Sequence, residues 1–278
     1  MLLGIDIGGT TISLGLVKGT GIEKRIRVPS FPADATQEDT LSYLSDQIAS
    51  FLTPDVSQIG IGVPTLVDVE KGIVYDALNI PSWKEVHLKE YLEKRFGIPV
   101  SVNNDANCYT LGAAARLGKR RGTVVGVTLG TGTGIGIVVD GKLFCGDHCG
   151  AGEICSLPYE GSILEAFCSK QFFENKGLNS RKASQAAEAG DPAAIALFEE
   201  FGRHLGYLLS VVMFAYDPSA IVIGGGVANA HPFFYDAMVR SLRELYPYPH
   251  VLDTLDIVMM PEEDTALLGA SILSLQYQ

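Results

Sequence analysis

The chain has 278 residues, of which 47% are hydrophobic and 19% charged, so it is long enough to bury the cores of two lobes. A net charge of −11, without a long run of Lys and Arg, argues against nucleic-acid binding. We predict a cytoplasmic protein, because the five cysteines lack framework spacing and the sequence shows no secretory leader. We also predict that it does not bind a membrane, because no apolar run reaches membrane-spanning length.

The first predicted element is a hairpin of two apolar strands, residues 3–17, joined by a short polar turn. Glycine lets a backbone approach an anion closely, threonine hydroxyls add donors, and a carboxylate suits Mg²⁺, bound directly or through water. The residues that would do this are Asp6, Gly8, Gly9, Thr10 and Thr11. The alternative is a turn that only connects two strands.

Alternating strands and helices follow. We predict a strand and loop over 21–35 and a helix over 36–52 that opens with a Thr36 and Asp39 capping box. Further on, the pattern predicts a strand at 57–63, an extended segment at 72–78, a helix at 87–96 ended by Gly97, a strand at 98–103 and a helix to 117.

The opening pattern then returns. Residues 123–139 predict a second apolar hairpin, and its turn contains Gly130, Thr131, Gly132 and Thr133. We interpret this recurrence as an internal duplication with one anion-binding turn in each lobe. The remaining predicted elements are a loop at 145–159, helices at 162–176, 180–189 and 192–215, a strand at 219–223, a helix at 232–245, a strand at 255–259 and a helix at 264–275.

A third glycine-rich segment, Gly224, Gly225 and Gly226, follows the predicted strand at 219–223. One nucleotide would explain all three segments, with the two hairpin turns on its phosphates and the third along its nucleoside. Neither hairpin turn contains a lysine or a Walker pattern, so backbone dipoles and a metal would have to balance the phosphate charge. The alternative is three tight turns without a ligand.

Acidic residues at strand and helix ends are the candidates for chemistry. Asp105 follows an apolar strand, where a carboxylate can accept the proton of a hydroxyl that attacks a phosphate, and Asn104 lies beside it. The alternative makes Asp105 the N-cap of the next helix. Glu153 and Glu165 would add acceptors for a polyol, or would be solvated surface residues.

Six motifs, taken together, resemble the ROK family (repressor, open reading frame, kinase) of sugar kinases over nearly the whole chain. In order they are Asp6-Ile7-Gly8-Gly9-Thr10, Gly60-Ile61-Gly62-Val63-Pro64, Val102-Asn103-Asn104-Asp105-Ala106-Asn107, Leu129-Gly130-Thr131-Gly132-Thr133-Gly134, Gly150-Ala151-Gly152-Glu153-Ile154 and Val222-Ile223-Gly224-Gly225-Gly226-Val227. The resemblance implies a two-lobed α/β fold of the actin/hexokinase type with duplicated βββαβα lobes. It also implies ATP with Mg²⁺, a glucokinase-like activity on a hexose or N-acetylated amino sugar, and a homodimer.

The resemblance also implies roles for residues. Asp105 matches the general base and Asn104 its sugar-binding neighbour, while Glu153 and Glu165 match the sugar-contacting glutamates. Ser156 and Thr65 stand at sugar-side positions, and Asp6 matches the acid near the metal. The implied lobes are residues 1–116 with 264–278, and residues 117–263.

The sequence departs from the family at several positions. Cys155 and Ser156 replace the usual Gly-His pair, and Ile163 stands where the zinc loop has its third cysteine, so zinc is not expected. Thr11 replaces a common lysine. A different metal site at Cys145, Cys149, Cys155 and Cys168 is the alternative, but free thiols are frequent core residues.

Two other functions fit the same motifs. A non-catalytic sugar-binding regulator related to ROK repressors would lack their DNA-binding domain, because Asp6 stands almost at the start of this sequence. An actin-like or chaperone-like ATPase would hydrolyse ATP without a small substrate, and the pair of Asn104 and Asp105 argues against it.

Overall fold

The computed structural model describes residues 1–77, 79–119, 121–262 and 264–276. The chain divides into two compact units. The first contains Met1–Arg120, Gly136–Ala151 and Glu263–Gln278, and the second contains Arg121–Ile135 and Gly152–Glu262. The structure thus groups 136–151 with the first unit, whereas the predicted boundaries placed this segment in the second lobe.

The strands in the described residues alternate with helices along most of the chain. They are β1 Leu2–Ile7, β2 Thr11–Lys18, β3 Gly21–Pro29, β4 Gln58–Val63, β5 Val67–Asp68, β6 Ile73–Tyr75, β7 Glu85–His87, β8 Val100–Asn104, β9 Thr123–Leu129, β10 Thr133–Val139, β11 Lys142–Leu143, β12 Pro158–Tyr159, β13 Ser162–Ile163, β14 Ala220–Gly224 and β15 Asp256–Met259. The two predicted hairpins, residues 3–17 and 123–139, are therefore present as β1 with β2 and as β9 with β10.

The helices are α1 Gln37–Phe51, α2 Leu88–Phe96, α3 Asp105–Leu117, α4 Glu165–Cys168, α5 Gln171–Glu174, α6 Ser180–Glu188, α7 Pro192–Tyr216, α8 His231–Leu245, α9 Pro249–Leu252 and α10 Asp264–Ser271. Short 3₁₀ turns cover Glu153–Ser156, Gly226–Ala230 and Leu273–Gln276. No helix among the described residues is both long and apolar enough to cross a membrane.

Two mixed sheets share one strand pattern. The order β3-β2-β1-β4-β8 in one matches β11-β10-β9-β14-β15 in the other. In the first, β1 pairs antiparallel with β2 and parallel with β4, and β4 pairs parallel with β8. This shared order is what the predicted internal duplication requires.

Helix α1 begins and α2 ends as the sequence predicts. The Thr36 side chain accepts from the Asp39 N–H while Asp39 accepts from the Thr36 backbone, which completes the capping box. Gly97 ends α2 with a φ of 65°, in the left-handed region that glycine adopts without strain.

Helix α10 packs on β1 and β4 and against α3, all within the first unit. The backbone of α10 lies directly against the backbone of β4, because a methyl group at Gly60 would collide with the carbonyl oxygen of Ala270. On the other side, a methyl group at Gly269 would collide with the carbonyl oxygen of Cys108. The fully buried Leu267 and Leu268 complete this contact with the sheet and α3.

The single helix predicted over 162–176 is wrong. The structure has β13, then the four-residue helices α4 and α5, with Ser169 extended between them (φ −125°, ψ −174°). The break is caused by contacts with a distant segment: the Cys168 carbonyl accepts from the Thr133 hydroxyl at 2.8 Å, and the Lys170 N–H donates to the Gly130 carbonyl at 3.0 Å. Backbone groups that would continue a helix are instead used to hold the second glycine turn.

Candidate active site

The strand register of the first unit aligns three positions of the sequence motifs. Asp6 on β1 lies opposite Gly62 on β4, and Gly62 lies opposite Asn103 on β8. Neighbouring strands are about 4.8 Å apart, and functional groups gather at the carboxyl ends of parallel strands. The register therefore brings the motif of Asp6 and the motif of Asn104 and Asp105 to one sheet edge.

Asn104, not Asp105, is the N-cap of α3. Its Oδ1 accepts from the N–H groups of Ala106 at 2.9 Å and Asn107 at 3.3 Å, and its Nδ2 donates to the Thr65 carbonyl at 3.3 Å. The alternative that made Asp105 the cap is corrected by this geometry. Asn104 thus connects the start of α3 to the loop after β4.

Asp105 is the first residue of α3 and is half-buried. Its Oδ1 accepts from the Ala106 N–H at 2.8 Å, and the positive end of the helix dipole favours a carboxylate there. Burial, followed by the charges of Asp6 and Asp105, raises the pKa of the fully buried Cys108 thiol well above its usual value. The two carboxylates therefore flank one thiol.

Gly62 allows this close arrangement. A methyl group there would lie 3.2 Å from the Cys108 sulfur and 3.4 Å from the Asp105 Cα. Its hydrogen leaves room for the first turn of α3 to rest on β4.

The first glycine turn is held by its carbonyl oxygens. Ser30 donates its hydroxyl to the Gly8 carbonyl at 2.8 Å and its N–H to the Thr10 carbonyl at 3.0 Å. Among the described residues, no acceptor is assigned to the N–H groups of Gly9 and Thr10. The Arg27 guanidinium donates to the Thr11 hydroxyl at 3.2 Å and so adds a positive charge beside the turn.

The second glycine turn belongs to the second unit. Like the first turn, it is held by a carbonyl oxygen and, within the described ranges, has N–H groups to which no acceptor is assigned. Gly130 donates its N–H to the Gly132 carbonyl at 2.9 Å and accepts from the Lys170 N–H at 3.0 Å. In the described part of the chain, the N–H groups of Thr131 and Gly132 have no assigned acceptor. Main-chain donors on this turn, as on the first, are thus available to an anion.

Glu165 lies directly against this second turn. Its Oε2 accepts from the Thr133 N–H at 3.4 Å, and its Oε1 accepts from the Gln171 side chain at 3.2 Å. A methyl group at Gly132 would lie 2.7 Å from Oε2, so the carboxylate sits where only glycine leaves space.

Glu153 and Glu165 are electrostatic neighbours in the second unit. Partial loss of hydration and then the charge of Glu165 raise the pKa of Glu153 above its ordinary value. Both carboxylates also contribute to raising the pKa of the buried Cys155 thiol, although burial is the larger cause. The two predicted glutamates therefore lie within electrostatic range of each other in the second unit.

The third glycine segment adjoins the second turn. Gly224 pairs with Thr128 in the parallel ladder of β14 and β9. Gly225 has a φ of 87°, and a methyl group there would collide with the Leu129 carbonyl oxygen. Gly226 begins the following 3₁₀ turn and is exposed.

Two further predicted residues have distinct surroundings. Thr65 donates its hydroxyl to the Tyr75 carbonyl at 2.7 Å, so its hydroxyl hydrogen is already used. Ser156 ends the Glu153–Ser156 turn and is exposed. Thr65 therefore joins Asp6, Asn104 and Asp105 in the first unit, and Ser156 follows Glu153 in the second.

The sequence did not reveal that Arg27 contacts the first glycine turn, that Cys108 lies near Asp6 and Asp105, or that Gln171 contacts Glu165. Arg27 lies on β3, and only the pairing of β2 with β3 brings it to the first turn. Cys108 has a weak sequence signal, because it follows Asp105 by three residues, which places both on one face of a helix. Gln171 reaches Glu165 only because the segment bends at Ser169.

Residues 2–277 match the family described as ROK family. The chain belongs to the ROK family. It is 29% identical to a glucokinase from Thermotoga maritima over 306 aligned positions, covering 97% of this chain and 96% of the relative. It is 30% identical to an N-acetyl-D-glucosamine kinase from Aliivibrio salmonicida over 277 positions, covering 87% and 89%.

The structural similarity extends along the whole fold. A ROK family glucokinase from Streptomyces griseus, solved in complex with glucose and AMPPNP, is 28% identical and superposes with a TM-score of 0.84 over 98% of each chain. The predicted family and the predicted hexokinase-type α/β fold are both confirmed.

Proposed function

We propose that this chain is an ATP-dependent sugar kinase that transfers the γ-phosphoryl group to a hydroxyl of a hexose or an N-acetylated amino sugar, with glucose as the first candidate. The glucokinase and N-acetyl-D-glucosamine kinase relatives support the reaction class. The structural observation that carries the proposal is the strand register that gathers Asp6 and Asp105 around Cys108.

Asp105 acts as the general base in this proposal. Its carboxylate accepts the proton of the sugar hydroxyl as the hydroxyl oxygen attacks the γ-phosphorus. The α3 cap formed by Asn104 holds the backbone of Asp105 in place. Asn104 has a second amide hydrogen, beyond the one given to Thr65, that can bind the sugar.

Main-chain donors hold the phosphates in this proposal. The first turn, with Gly8, Gly9, Thr10 and Thr11, and the second turn, with Gly130, Thr131, Gly132 and Thr133, supply N–H and hydroxyl groups, and the 224–226 segment lies along the nucleoside. Arg27 supplies a cationic side chain that neither turn contains.

Asp6 would hold Mg²⁺, directly or through water, and the ion would offset phosphate charge. The donor set fits this ion, since Asp6 is a half-buried carboxylate at the strand end that leads into the first turn. Among the described residues, no group of three or more His, Cys, Asp or Glu is arranged to hold a metal, so phosphate oxygens and water would complete the coordination.

The residues proposed to bind the sugar are Glu153, Glu165, Ser156 and Thr65. Carboxylates that accept from sugar hydroxyls discriminate strongly against analogues that lack them. The raised pKa of Glu153 keeps more of its protonated, donating form than an ordinary glutamate would have at mildly acid pH.

The test is sugar-dependent ADP release with Mg-ATP and a panel of hexoses and N-acetylhexosamines. Asp105→Asn should lower kcat by about 10²–10⁴-fold, as expected for loss of a general base. Asp140→Asn, in an exposed hairpin turn, is the matched control and should keep full activity. No sugar-dependent ADP, or full activity in Asp105→Asn, would refute the proposal. Sugar binding by calorimetry without turnover would instead favour the non-catalytic regulator.

The lobe boundaries and the homodimer, which the resemblance implies, and the cytoplasmic location, which the cysteine pattern predicts, belong to the same proposal. Light scattering at several protein concentrations measures the oligomeric state. Metal analysis of the purified protein tests the prediction that it contains no zinc.

A further inference from the structure

Two cysteines outside the proposed catalytic groups lie together in the first unit. Cys145 is half-buried and Cys149 is buried. The Asn107 Nδ2 lies 3.6 Å from the Cys145 sulfur and 3.7 Å from the Cys149 sulfur. The Asn103 Oδ1 lies 4.0 Å and 3.4 Å from the same two sulfurs. One nitrogen and one oxygen thus lie within 4.0 Å of both sulfurs, which places the two thiols beside the same pair of asparagines.

The two thiols differ in acidity. A hydrogen bond from the Cys149 thiol, aided by one from Asn103 and opposed by burial, lowers the pKa of Cys145 to about 7. The hydrogen bond to Cys145, followed by burial, raises the pKa of Cys149. Cys145 therefore has more thiolate character at neutral pH than an ordinary thiol, which is ionised to a few per cent. The Cys145 thiol is therefore suited to act as a nucleophile, whereas the Cys149 thiol keeps its proton.

Small molecules can reach the pair. Both cysteines line a cavity of about 1240 Å³ within the first unit, between the 66–70 and 143–149 segments. None of the proposed catalytic or sugar-side residues lines this cavity. Both cysteines therefore border a cavity large enough to admit a small hydroperoxide.

We propose that Cys145 and Cys149 form a redox-active dithiol that a hydroperoxide converts to an intramolecular disulfide. The Cys145 thiolate attacks one peroxide oxygen, the O–O bond breaks, and a sulfenic acid forms while the second oxygen leaves as hydroxide and is protonated to water. Cys149 then attacks the sulfenic sulfur, so the S–S bond forms, the S–O bond breaks and the second water leaves with the Cys149 proton. Two thiols and one hydrogen peroxide give one disulfide and two waters.

The dithiol is connected to the start of α3. The backbone N–H groups of Val67 and Asn104 lie near the Cys149 sulfur and slightly oppose the rise of its pKa that Cys145 and burial cause. Asn103 Oδ1, which the Cys149 thiol approaches, also accepts from the Asn104 N–H at 2.7 Å and from Asn107 at 2.9 Å. Oxidation removes both thiol hydrogens and draws the sulfurs to about 2.05 Å. The disulfide therefore shifts Asn103 and Asn104, and turnover falls; this consequence rests on the proposed kinase function.

The chemical test treats the full chain with hydrogen peroxide, then denatures it, alkylates free thiols with iodoacetamide and maps the peptides by mass spectrometry. We expect the peptide that contains both cysteines to lose two hydrogens and to resist alkylation until dithiothreitol is added. Cys155 and Cys168, which are buried in the second unit, and Cys108, which is buried in α3 near the pair, should alkylate as in the untreated protein. Full alkylation of Cys145 and Cys149 after peroxide, or a disulfide to another cysteine, would overturn the proposal.

Two variants separate the steps. Cys149→Ser should stop at the sulfenic acid of Cys145, which dimedone labels, and Cys145→Ser should remove both the dimedone label and the disulfide. Circular dichroism checks that both variants fold. Equal dimedone labelling of wild type and Cys149→Ser would contradict a resolving role for Cys149.

The functional arm measures sugar-dependent ADP release before peroxide, after peroxide and after dithiothreitol. We expect a reversible, several-fold fall in the wild type and no fall in Cys145→Ser relative to its own untreated sample. A disulfide with unchanged turnover would overturn the link to α3. A disulfide in a chain without kinase activity in either state would contradict the proposed function and leave the dithiol established.

Discussion

Glu165 accepts a hydrogen bond from the Thr133 N–H at 3.4 Å, so a glutamate expected to contact the sugar is bonded to a turn expected to bind phosphate. The contact lies wholly within the second unit. Gln171 fixes the other carboxylate oxygen, and Gly132 leaves the space that the carboxylate occupies. In the proposed function, sugar binding and the conformation of the proposed phosphate turn would thus be coupled through one side chain.

The first prediction concerns the charge of Glu165. Glu165→Gln should lower the pKa of Glu153 toward its ordinary value of 4.5, because the charge that opposes its ionisation is removed. NMR titration of the Glu153 side chain measures this change. Glu199→Gln, which removes an exposed charge on α7 of the same unit, is the control and should leave the pKa of Glu153 unchanged.

Linkage makes the same shift visible in stability. A carboxyl whose folded pKa is raised contributes stability below its unfolded pKa, and that contribution is lost as pH rises through the folded pKa. Glu153→Gln should therefore unfold at a higher denaturant concentration than wild type at pH 7. The difference between the two midpoints should be smaller below pH 4.5. Denaturant melts at both pH values test this, and an equal difference at both would contradict it.

The second prediction separates the two roles of Asn104. Asn104→Ala should lower the free energy of unfolding by about 1 kcal/mol, because the α3 cap is lost, whereas Asn104→Ser keeps a capping oxygen and most of that stability. Both variants lose the hydrogen bond to the Thr65 carbonyl, so both should raise KM for the sugar. Urea melts and sugar kinetics measure the two effects, and equal stability of the two variants would argue against the cap.

The third prediction concerns the positive charge beside the first turn. Arg27→Gln should raise KM for ATP about two- to fivefold, since an exposed charge contact contributes up to about 1 kcal/mol. Arg25→Gln is the matched control, because Arg25 lies on the same strand but pairs with Asp264. Added salt should reduce the difference between Arg27→Gln and wild type. Identical KM values for the two variants would remove Arg27 from the proposed site.

The fourth prediction tests the packing of α3 on β4. Gly62→Ala should lower the free energy of unfolding by about 1–3 kcal/mol, because its methyl group would lie 3.2 Å from the Cys108 sulfur. Cys108→Ala removes that sulfur, so the double variant should be more stable than the sum of the single changes predicts. Strict additivity in urea melts would show that the two positions do not interact.

Local patterns predicted much of the fold. The hairpin strands, the Thr36 and Asp39 capping box and Gly97 at the end of α2 are each specified within a few residues. The predicted helix over 162–176 failed because its break depends on Thr133 and Gly130, which lie more than thirty residues earlier in the sequence.

The motifs of the candidate site could be predicted from the sequence, but the contacts between their side chains could not. Asp6 and Asp105 were identified from their strand ends, yet their shared neighbour Cys108 depends on strand register. The choice of Asn104 over Asp105 as the cap depends on backbone geometry at one residue. Contacts between Asn103 and Cys145 cross 42 residues, and no local pattern specifies them.

Helix α10 lies at backbone distance on β4 and α3, yet it follows the whole second unit in the sequence. During translation, every segment of the second unit leaves the ribosome before this helix does. The first unit therefore cannot complete its packing until the whole second unit has been synthesised, so the part of the protein that is made first is completed last.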